Sequence, residues 1–215
     1  MSIQSLILNF ILKKYVKTLK VSPEKSSYKD ARKLMNQKGY EDKNQNVVTQ
    51  LLLKKIFSGK KSEINTTELH LNNIRTLKFD HEKFDKNKCI LYFHGGGYVA
   101  GSPETHQNFL KALCKKSKIN IYAIDYSLAP EHKFPAALND AISSYNALLE
   151  LGFKSENIFF GGDSAGGNLT LISVLKLQEM QQSIPTKLFL LSPWTDLTAS
   201  GESMKSNYKK DPYLS

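Results

Sequence analysis

The sequence predicts one α/β domain, built around a mostly parallel sheet with helices on both faces. The first observation is a set of short apolar runs, each bounded by turn residues or charge, which is typical of strands buried on both faces. The second is that helical patterns separate these runs, so that strand and helix alternate along the chain. The third is a length of 215 residues, enough for one such domain with a sizeable core. The predicted strands of this sheet are residues 89–93, 119–125, 157–161 and 187–191.

Residues 1–60 are helical in pattern and rich in lysine, and we interpret them as an N-terminal helical cap on an α/β domain of residues 61–215. Residues 1–20 lack the positive leading region and the cleavage site of a signal peptide, and their apolar stretch is too short to span a bilayer. Their apolar residues recur at helical spacing, which favours a helix packed on the body of the protein. A helix that lies on a membrane surface is the alternative.

The remaining elements follow from local signals. Residues 61–73 are polar with an alternating apolar pattern and could form a first strand or a hairpin. Ser102 and Pro103 then resemble a helix start, with serine as the N-cap and proline in the first turn. After Pro135, apolar residues recur every three or four positions, which predicts a helix, and Gly152 stands where a glycine C-cap belongs.

The net charge of +10 comes almost wholly from lysine, because Arg32 and Arg75 are the only two arginines. Nucleic-acid recognition favours the planar, bidentate arginine fork, and no nucleic-acid-binding motif accompanies the charge, so we expect no nucleic-acid partner. The two cysteines, Cys89 and Cys114, form no disulfide framework and no metal-binding spacing, which suits a reducing, cytoplasmic location. We expect neither a metal nor a cofactor.

Residues 162–166, GDSAG, fit the pattern G-x-S-x-G. They follow a predicted strand and precede a helical pattern, which is the context of a nucleophile elbow rather than of a plain strand–helix turn. The flanking glycines allow strand and helix to approach closely, and the bend exposes the serine hydroxyl at the N-terminus of the helix. Ser164 is therefore the candidate nucleophile.

A second motif, HGGGYVAGS, begins at His94 directly after the predicted strand 89–93. Three consecutive glycines let backbone N–H groups approach a ligand atom closely. Such amides stabilise the oxyanion that forms when a nucleophile attacks an ester carbonyl. We expect the amides of Gly95 and Gly96, with that of Ala165 behind the nucleophile, to form this oxyanion hole. His94 is interpreted as an anchor of the loop rather than as the catalytic base.

Four blocks along the chain resemble, in order, signatures of the hormone-sensitive-lipase (GDXG) family of α/β-hydrolase esterases and lipases. The blocks are HGGGYVAGSPETH (94–106), DYSLAPEHKFPAAL (125–138), GGDSAGGNL (161–169) and LLSPWTDLT (190–198). The resemblance implies the α/β-hydrolase fold and the hydrolysis of small-molecule carboxylic esters through an acyl-enzyme on Ser164, without a cofactor. It implies the same oxyanion donors, Gly95, Gly96 and Ala165. The chain departs from the family at Ser127, where arginine is usual.

The resemblance leaves the catalytic base unassigned. In α/β-hydrolases the acid and the histidine follow the nucleophile along the chain, whereas no histidine follows Ser164 here, and Asp196 matches a structural residue of the family. We therefore expect the chain to lack the C-terminal part of the fold, including strands beyond residues 187–191, and to be poorly active. A base drawn from the five upstream histidines, such as His106 or His132, is left open. So is the alternative of a decayed or ligand-binding protein without catalysis.

Overall fold

In the computed structural model of the protein, the described residues are Arg32, Asn36 and residues 64–207. The predicted N-terminal cap, residues 1–60, therefore lies outside the described residues except at those two positions. The same holds for the predicted helix within residues 1–20. In the part of the chain that is described, no helix is long and apolar enough to cross a membrane.

Within residues 64–207, six strands form one sheet in the order β1-β2-β4-β3-β5-β6. The strands are β1 (Asn65–Leu71), β2 (Ile74–Asp80), β3 (Asp85–Phe93), β4 (Ile119–Ile124), β5 (Ile158–Asp163) and β6 (Lys187–Leu191). β4, β3, β5 and β6 pair in parallel, whereas β2 is antiparallel to both β1 and β4. The prediction of a mostly parallel sheet is confirmed, and the four predicted strands correspond to β3, β4, β5 and β6.

Helices cover both faces of this sheet. α1 (Gln107–Ser117) packs on one face, and α2 (Ala136–Glu150) and α3 (Ala165–Glu179) pack on the other. A short helix, α4 (Glu202–Ser206), follows β6 and buries none of its residues. α2 ends as predicted, since Gly152 has φ 93° and its amide donates to the carbonyl of Leu149. The next amide, of Phe153, donates to the carbonyl of Leu148, which completes a Schellman-type glycine cap.

Residues 61–73, considered for a first strand or a hairpin, contain β1, and the second strand of this hairpin, β2, was not predicted. β1 and β2 are joined by a two-residue turn, with Leu71 paired to Ile74. Asn72, in this turn, has φ 47°, a left-handed conformation that asparagine tolerates better than most residues. Its side-chain amide also donates to the carbonyl of Ser143 at 3.1 Å, which ties the turn to α2.

The prediction that a helix starts at Ser102 and Pro103 is wrong. The helix begins at Gln107, and residues 102–105 form a turn of their own. In that turn the Ser102 amide donates to Thr105 Oγ1 at 3.0 Å, and the same hydroxyl donates to the Ser102 carbonyl at 2.7 Å. Local bonds of this kind compete with the helix, which is why it starts later.

The core has two layers, one on each face of the sheet, and β3 contributes to both. Leu91 and Phe93 belong to the larger layer, together with residues of α2 and α3. Ile90 and Tyr92 belong to the other layer, together with residues of α1 such as Leu110. Because successive residues of a strand face opposite sides of the sheet, β3 is buried on both faces, as predicted.

β3 and β5 end side by side, with Phe93 paired to Gly162. The two motifs found in the sequence follow these strand ends, the glycine motif after β3 and the serine motif after β5. Ligands of open α/β sheets bind at the carboxyl ends of the strands. The topology therefore brings both motifs to the carboxyl ends of neighbouring strands, where a site is expected. Cys89 and Cys114 are free and buried in the core layers.

Candidate active site

Ser164 lies on the bend between β5 and α3. Its backbone has φ 51° and ψ −118°, a region that residues other than glycine rarely occupy. The serine is exposed, whereas Gly162 and Ala165 beside it are buried. A strained serine that projects from a sharp strand–helix turn is the geometry that the G-x-S-x-G pattern predicts.

The glycines of this motif are required by close packing at the bend. A Cβ on Gly162 would lie 2.3 Å from the carbonyl oxygen of Gly166. A Cβ on Gly166 would lie 2.0 Å from the carbonyl oxygen of Phe93. Any larger residue at either position would force β3, β5 and α3 apart. The two glycines therefore allow the sharp bend on which Ser164 lies.

Ser164 is also held from the side of β6. Its amide donates to the carbonyl of Leu191 at 3.0 Å, and its own carbonyl accepts from the amide of Trp194 at 2.9 Å. The candidate nucleophile therefore lies beside the end of β6 and the loop that follows this strand.

The glycine loop after β3 packs its backbone against the elbow. A Cβ on Gly95 would lie 2.2 Å from Oδ2 of Asp163, the residue before Ser164. Gly96 has φ 132°, and a Cβ there would lie 2.0 Å from the carbonyl oxygen of Ala100. Only glycine fits such an approach of backbone to backbone and to the carboxylate.

His94 orients the peptide group between Gly95 and Gly96. Its Nδ1 lies 2.9 Å from the Gly95 carbonyl oxygen, and because a carbonyl only accepts, Nδ1 carries the proton. In a trans peptide the N–H and the C=O point in opposite directions, so this bond aims the Gly96 N–H away from the His94 ring. Among the described residues, no acceptor forms a hydrogen bond with this N–H or with that of Ala165 in the first turn of α3.

Asp163 connects the elbow to the glycine loop and to α1. Its Oδ1 accepts hydrogen bonds from the Tyr92 hydroxyl at 2.8 Å and from the Gly95 amide at 2.9 Å. Nε2 of His106, just before α1, lies 3.3 Å from each carboxylate oxygen. Burial acts to raise the pKa of Asp163, but these hydrogen bonds, that of His106 first among them, outweigh burial and hold the pKa below its usual range. Asp163 was missed in the sequence because the motif accepts any residue at that position.

The amides of Gly95 and Gly96 therefore differ. The Gly95 N–H already donates to the Asp163 carboxylate. It could join an oxyanion hole only after leaving that acceptor, whereas the amides of Gly96 and Ala165 need no such change. Gly95 instead anchors the loop against the elbow.

No histidine of the described chain, which contains all five, is hydrogen-bonded to the Ser164 hydroxyl. His106 directs Nε2 to Asp163, and its Nδ1 lies 3.2 Å from the carbonyl oxygen of Ser102. His132, the other upstream alternative, is exposed in the loop after β4. Nor do the His, Cys, Asp and Glu side chains of the described residues form a group of three that could hold a metal ion. Among the described residues, no histidine is therefore in hydrogen-bond contact with the serine.

The environment of His94 supports its interpretation as an anchor of the loop. The residue is 1% exposed, and its ring stacks on that of Tyr126 with 4.2 Å between centroids. The Tyr126 hydroxyl donates to the His94 carbonyl at 2.6 Å. Burial lowers the pKa of His94 to about 4, so the ring is neutral at pH 7. The bond to the glycine loop requires a proton on Nδ1, and the neutral ring with its proton on that nitrogen meets this requirement.

Asp196 closes the loop after β6. Its carboxylate accepts from the hydroxyl and the amide of Thr198 and from the hydroxyl and the amide of Ser200, at 2.5 to 3.0 Å. These bonds, that of the Thr198 hydroxyl first among them, hold the pKa of Asp196 well below its usual range. The structural role implied by the resemblance agrees with this geometry.

Ser127, where the family usually has arginine, donates its amide to Asp140 at 2.7 Å. An arginine from another strand forms an ion pair in this region, since Arg75 of β2 pairs with Asp125 at 3.0 Å. The same guanidinium also contacts Glu104 in the turn before α1. Arg75 thus links the loops that leave β3 and β4.

A family model described as the alpha/beta hydrolase fold matches residues 90–215. The chain belongs to the α/β-hydrolase fold family. Among its relatives is an esterase of Acinetobacter venetianus, 39% identical over 128 residues, which are 60% of this chain and 42% of the relative. The hormone-sensitive lipase of Mus musculus is 33% identical over 138 residues, 62% of this chain and 18% of that protein.

Solved structures agree with this assignment. A crystal structure of an esterase from the bacterial hormone-sensitive-lipase family matches 95% of this α/β-hydrolase chain with a TM-score of 0.78 and 29% identity, and 63% of that esterase is covered. An esterase/lipase from an uncultured bacterium matches 99% of the chain with a TM-score of 0.78 and 28% identity, and 65% of it is covered. The predicted fold and the resemblance to hormone-sensitive-lipase esterases are confirmed. The chain spans less than two thirds of the length of these relatives.

Proposed function

We propose that this chain carries the nucleophile and the oxyanion-stabilising groups of a carboxylic-ester hydrolase that acts on small-molecule esters. Ser164 Oγ attacks the acyl carbon of the ester, the alcohol leaves, and water then releases the acyl group from the serine. The observation that carries the proposal is the exposed, strained Ser164 at the N-terminus of α3, packed directly against the glycine loop. The names of the relatives, esterase and hormone-sensitive lipase among them, support the same substrate class.

The oxyanion of the tetrahedral intermediate is assigned to the amides of Gly96 and Ala165, with Gly95 as a third donor only if its amide leaves Asp163. The Gly96 amide is oriented in advance by the bond between His94 and Gly95. Preorganised amides of this kind are worth several kcal/mol, on the order of 10²–10³ in rate for each donor. The N-terminus of α3, a helix of 15 residues, adds a favourable partial positive charge.

The general base and its acid are proposed to come from polypeptide outside the described residues. The side chains of His94 and His106 are bonded to other groups, His132 is exposed, and no histidine follows Ser164 in the sequence. Polypeptide that packs beside β6 would approach the serine, because Ser164 is bonded to Leu191 and Trp194 on that side. The 215-residue chain alone is therefore expected to hydrolyse esters slowly.

A second candidate function is favoured by the absence of a histidine bonded to Ser164 among the described residues. A serine without a base in reach fits a protein that holds an ester or a related ligand at the glycine loop without turning it over. The two candidates differ in what happens at Ser164, because only the hydrolase forms a covalent bond there.

The test is covalent labelling of Ser164 with a fluorophosphonate, whose phosphorus is attacked by Oγ while fluoride leaves. Mass spectrometry of the digested protein is expected to place the adduct on Ser164, with slow labelling because no base assists. Ser164→Ala is the control and is expected to take up no label. Labelling of other serines with Ser164 unmodified, or no labelling at all, would show that the proposed function is wrong and would favour the non-catalytic alternative.

A further inference from the structure

Two side chains from the N-terminal region contact the backbone of the glycine loop. Arg32 Nε donates to the carbonyl of Val99 at 2.6 Å, and the Asn36 side-chain oxygen accepts from the amide of Gly101 at 3.0 Å. Both residues have helical backbone conformation. Neither belongs to the four sequence blocks that resemble the esterase family, so the motifs alone do not account for these contacts.

The peptide groups they hold lie at the end of the turn that begins with Gly96. The Gly96 carbonyl accepts from the amides of Val99 and Ala100, at 3.1 and 3.0 Å, which closes the turn. Gly101 lies directly behind it, because a Cβ at this position would be 2.2 Å from the Gly95 carbonyl oxygen and 2.6 Å from His94 Nδ1. A shift of Gly101 would therefore reach the peptide group that presents the Gly96 N–H.

Arg32 also fastens the glycine loop to the loop that follows β4. Its guanidinium donates to the carbonyl of Ala129 at 2.5 Å and pairs with the carboxylate of Glu131 at 2.7 and 3.0 Å. The two loops touch each other as well, since the Ala129 amide donates to the carbonyl of Tyr98 at 2.8 Å. One guanidinium thus spans Val99, Ala129 and Glu131.

Arginine is well suited to bridge these two loops. Arg32 and Arg75 are the only arginines among the 30 lysines and arginines of the chain. Among the described residues, Arg32 bonds to the loops that follow β3 and β4, and Arg75 pairs with acidic residues on three separate segments. A planar guanidinium with five N–H donors can span such a set, whereas a lysine ammonium acts as a compact point charge. The side chain of Arg32 is 21% exposed, so these bonds are partly sheltered from water.

We propose that Arg32 and Asn36 are positioning residues that latch the glycine loop, so that the reactivity of Ser164 depends on the N-terminal region. They act through Val99 and Gly101 and touch neither the serine nor the assigned oxyanion donors. The inference rests on the proposed function, because it concerns how the same oxyanion hole is kept in place. It goes further in assigning a role to residues outside the family motifs.

The experiment measures the rate of fluorophosphonate labelling of Ser164 over a range of probe concentrations in the full 215-residue chain. Arg32→Ala and Asn36→Ala are each expected to lower the maximal labelling rate about tenfold, with the half-saturating probe concentration and the final labelled fraction unchanged. Arg32→Lys is expected to fall between, since it keeps the pairing with Glu131 but not the fork. Asn36→Asp is expected to stay near wild type, because a carboxylate oxygen can also accept from Gly101. Lys115→Ala, which removes an exposed cation on α1, is the matched control and is expected to label like wild type.

Hydrogen exchange gives a readout that does not involve the serine. The Gly101 amide is expected to exchange faster in Asn36→Ala, and in Asn36→Asp at the wild-type rate. Wild-type labelling kinetics in both alanine variants would overturn the latch while leaving the proposed function intact. So would a lower labelled fraction with an unchanged rate constant, which indicates partial unfolding. A wild-type chain with no label on Ser164 would instead overturn the proposed function, and with it the latch.

Discussion

Burial differs between the two parts of the sheet that flank Ser164: β3 and β5 on one side, which we call the closed side, and the edge strand β6 on the other, which we call the open side. On the side of β3 and β5 the strands are covered on both faces, and Leu91 and Phe160 have no exposed surface. On the other side β6 is open, with Leu188 39% and Leu191 42% exposed. The closed side holds the glycine loop, its anchors and Asp163. The chain therefore builds the elbow serine and the proposed oxyanion hole on a well-buried core, and we propose that the base and its acid approach from the open side.

The open side continues past β6 into the loop that touches the serine. Trp194 is 37% exposed and Leu197 54% exposed, and the Trp194 amide donates to the Ser164 carbonyl. Large apolar side chains of this kind next to a parallel edge strand are suited to being covered by further polypeptide. The contrast between the sides is thus one of packing as well as of chemistry.

The largest expected effect compares one residue from each side of the sheet. Phe160→Ala should lower the free energy of unfolding by about 3–5 kcal/mol, because Phe160 packs edge-on against Phe93 and Tyr145 in the closed layer. Leu188→Ala should lower it by about 1 kcal/mol or less, because that side chain is already partly in water. Urea unfolding of both variants measures the difference. Equal losses would mean that the two sides do not differ in packing as described.

Much of the fold and part of the candidate site could be predicted from the sequence. The strands of the main sheet and the Ser164 elbow follow from local patterns, because a buried strand and a G-x-S-x-G turn each leave a contiguous signal. The start of α1 was predicted wrongly at Ser102 because the bonds to Thr105 form a turn that competes with the helix. The anchoring of Gly95 by Asp163 could not be predicted, since it depends on the register between β3 and β5.

The next prediction compares two glycines of positive φ. Gly96→Ala should slow labelling of Ser164 by about 10²-fold or more, because its Cβ would meet the Ala100 carbonyl oxygen at 2.0 Å and displace the amide assigned to the oxyanion. Gly152→Ala is the matched control: its φ is 93°, but nothing lies within 4 Å of the added Cβ. It should cost some stability through backbone strain and leave the labelling rate unchanged. Equal labelling rates in the two variants would place the oxyanion hole elsewhere.

The smallest expected effect, taken per pH unit, is a pH dependence of stability that comes from His94 in the closed side. Burial lowers the pKa of His94 to about 4, whereas an unfolded histidine titrates near about 6.5. As the pH falls from about 6.5 to 4, the unfolded chain gains a proton that the folded chain does not. This group should therefore reduce stability by at most about 1.4 kcal/mol per pH unit in that window. Its contribution is constant above the window, where both states are neutral.

His94→Gln should flatten the dependence of unfolding free energy on pH in that window, as measured by urea titrations between pH 4 and 7. His132→Gln replaces an exposed histidine in a loop and serves as the comparison. If the His94 variant loses stability on acidification as steeply as wild type, then His94 is not the buried neutral ring that holds the glycine loop.

The most direct test of the central claim is hydrolysis of a short-chain p-nitrophenyl ester by two proteins. One is the 215-residue chain, and the other is the same chain joined to the C-terminal third of a solved hormone-sensitive-lipase-family esterase. The account predicts that the chain alone reaches only the residual catalysis of oxyanion donors and binding, on the order of 10³–10⁴ over water. It predicts that the joined protein is at least about 10²-fold faster and that Ser164→Ala abolishes the gain. Turnover of the chain alone at about 10 per second, lost on Ser164→Ala, would contradict the account, because the base would then lie within these residues.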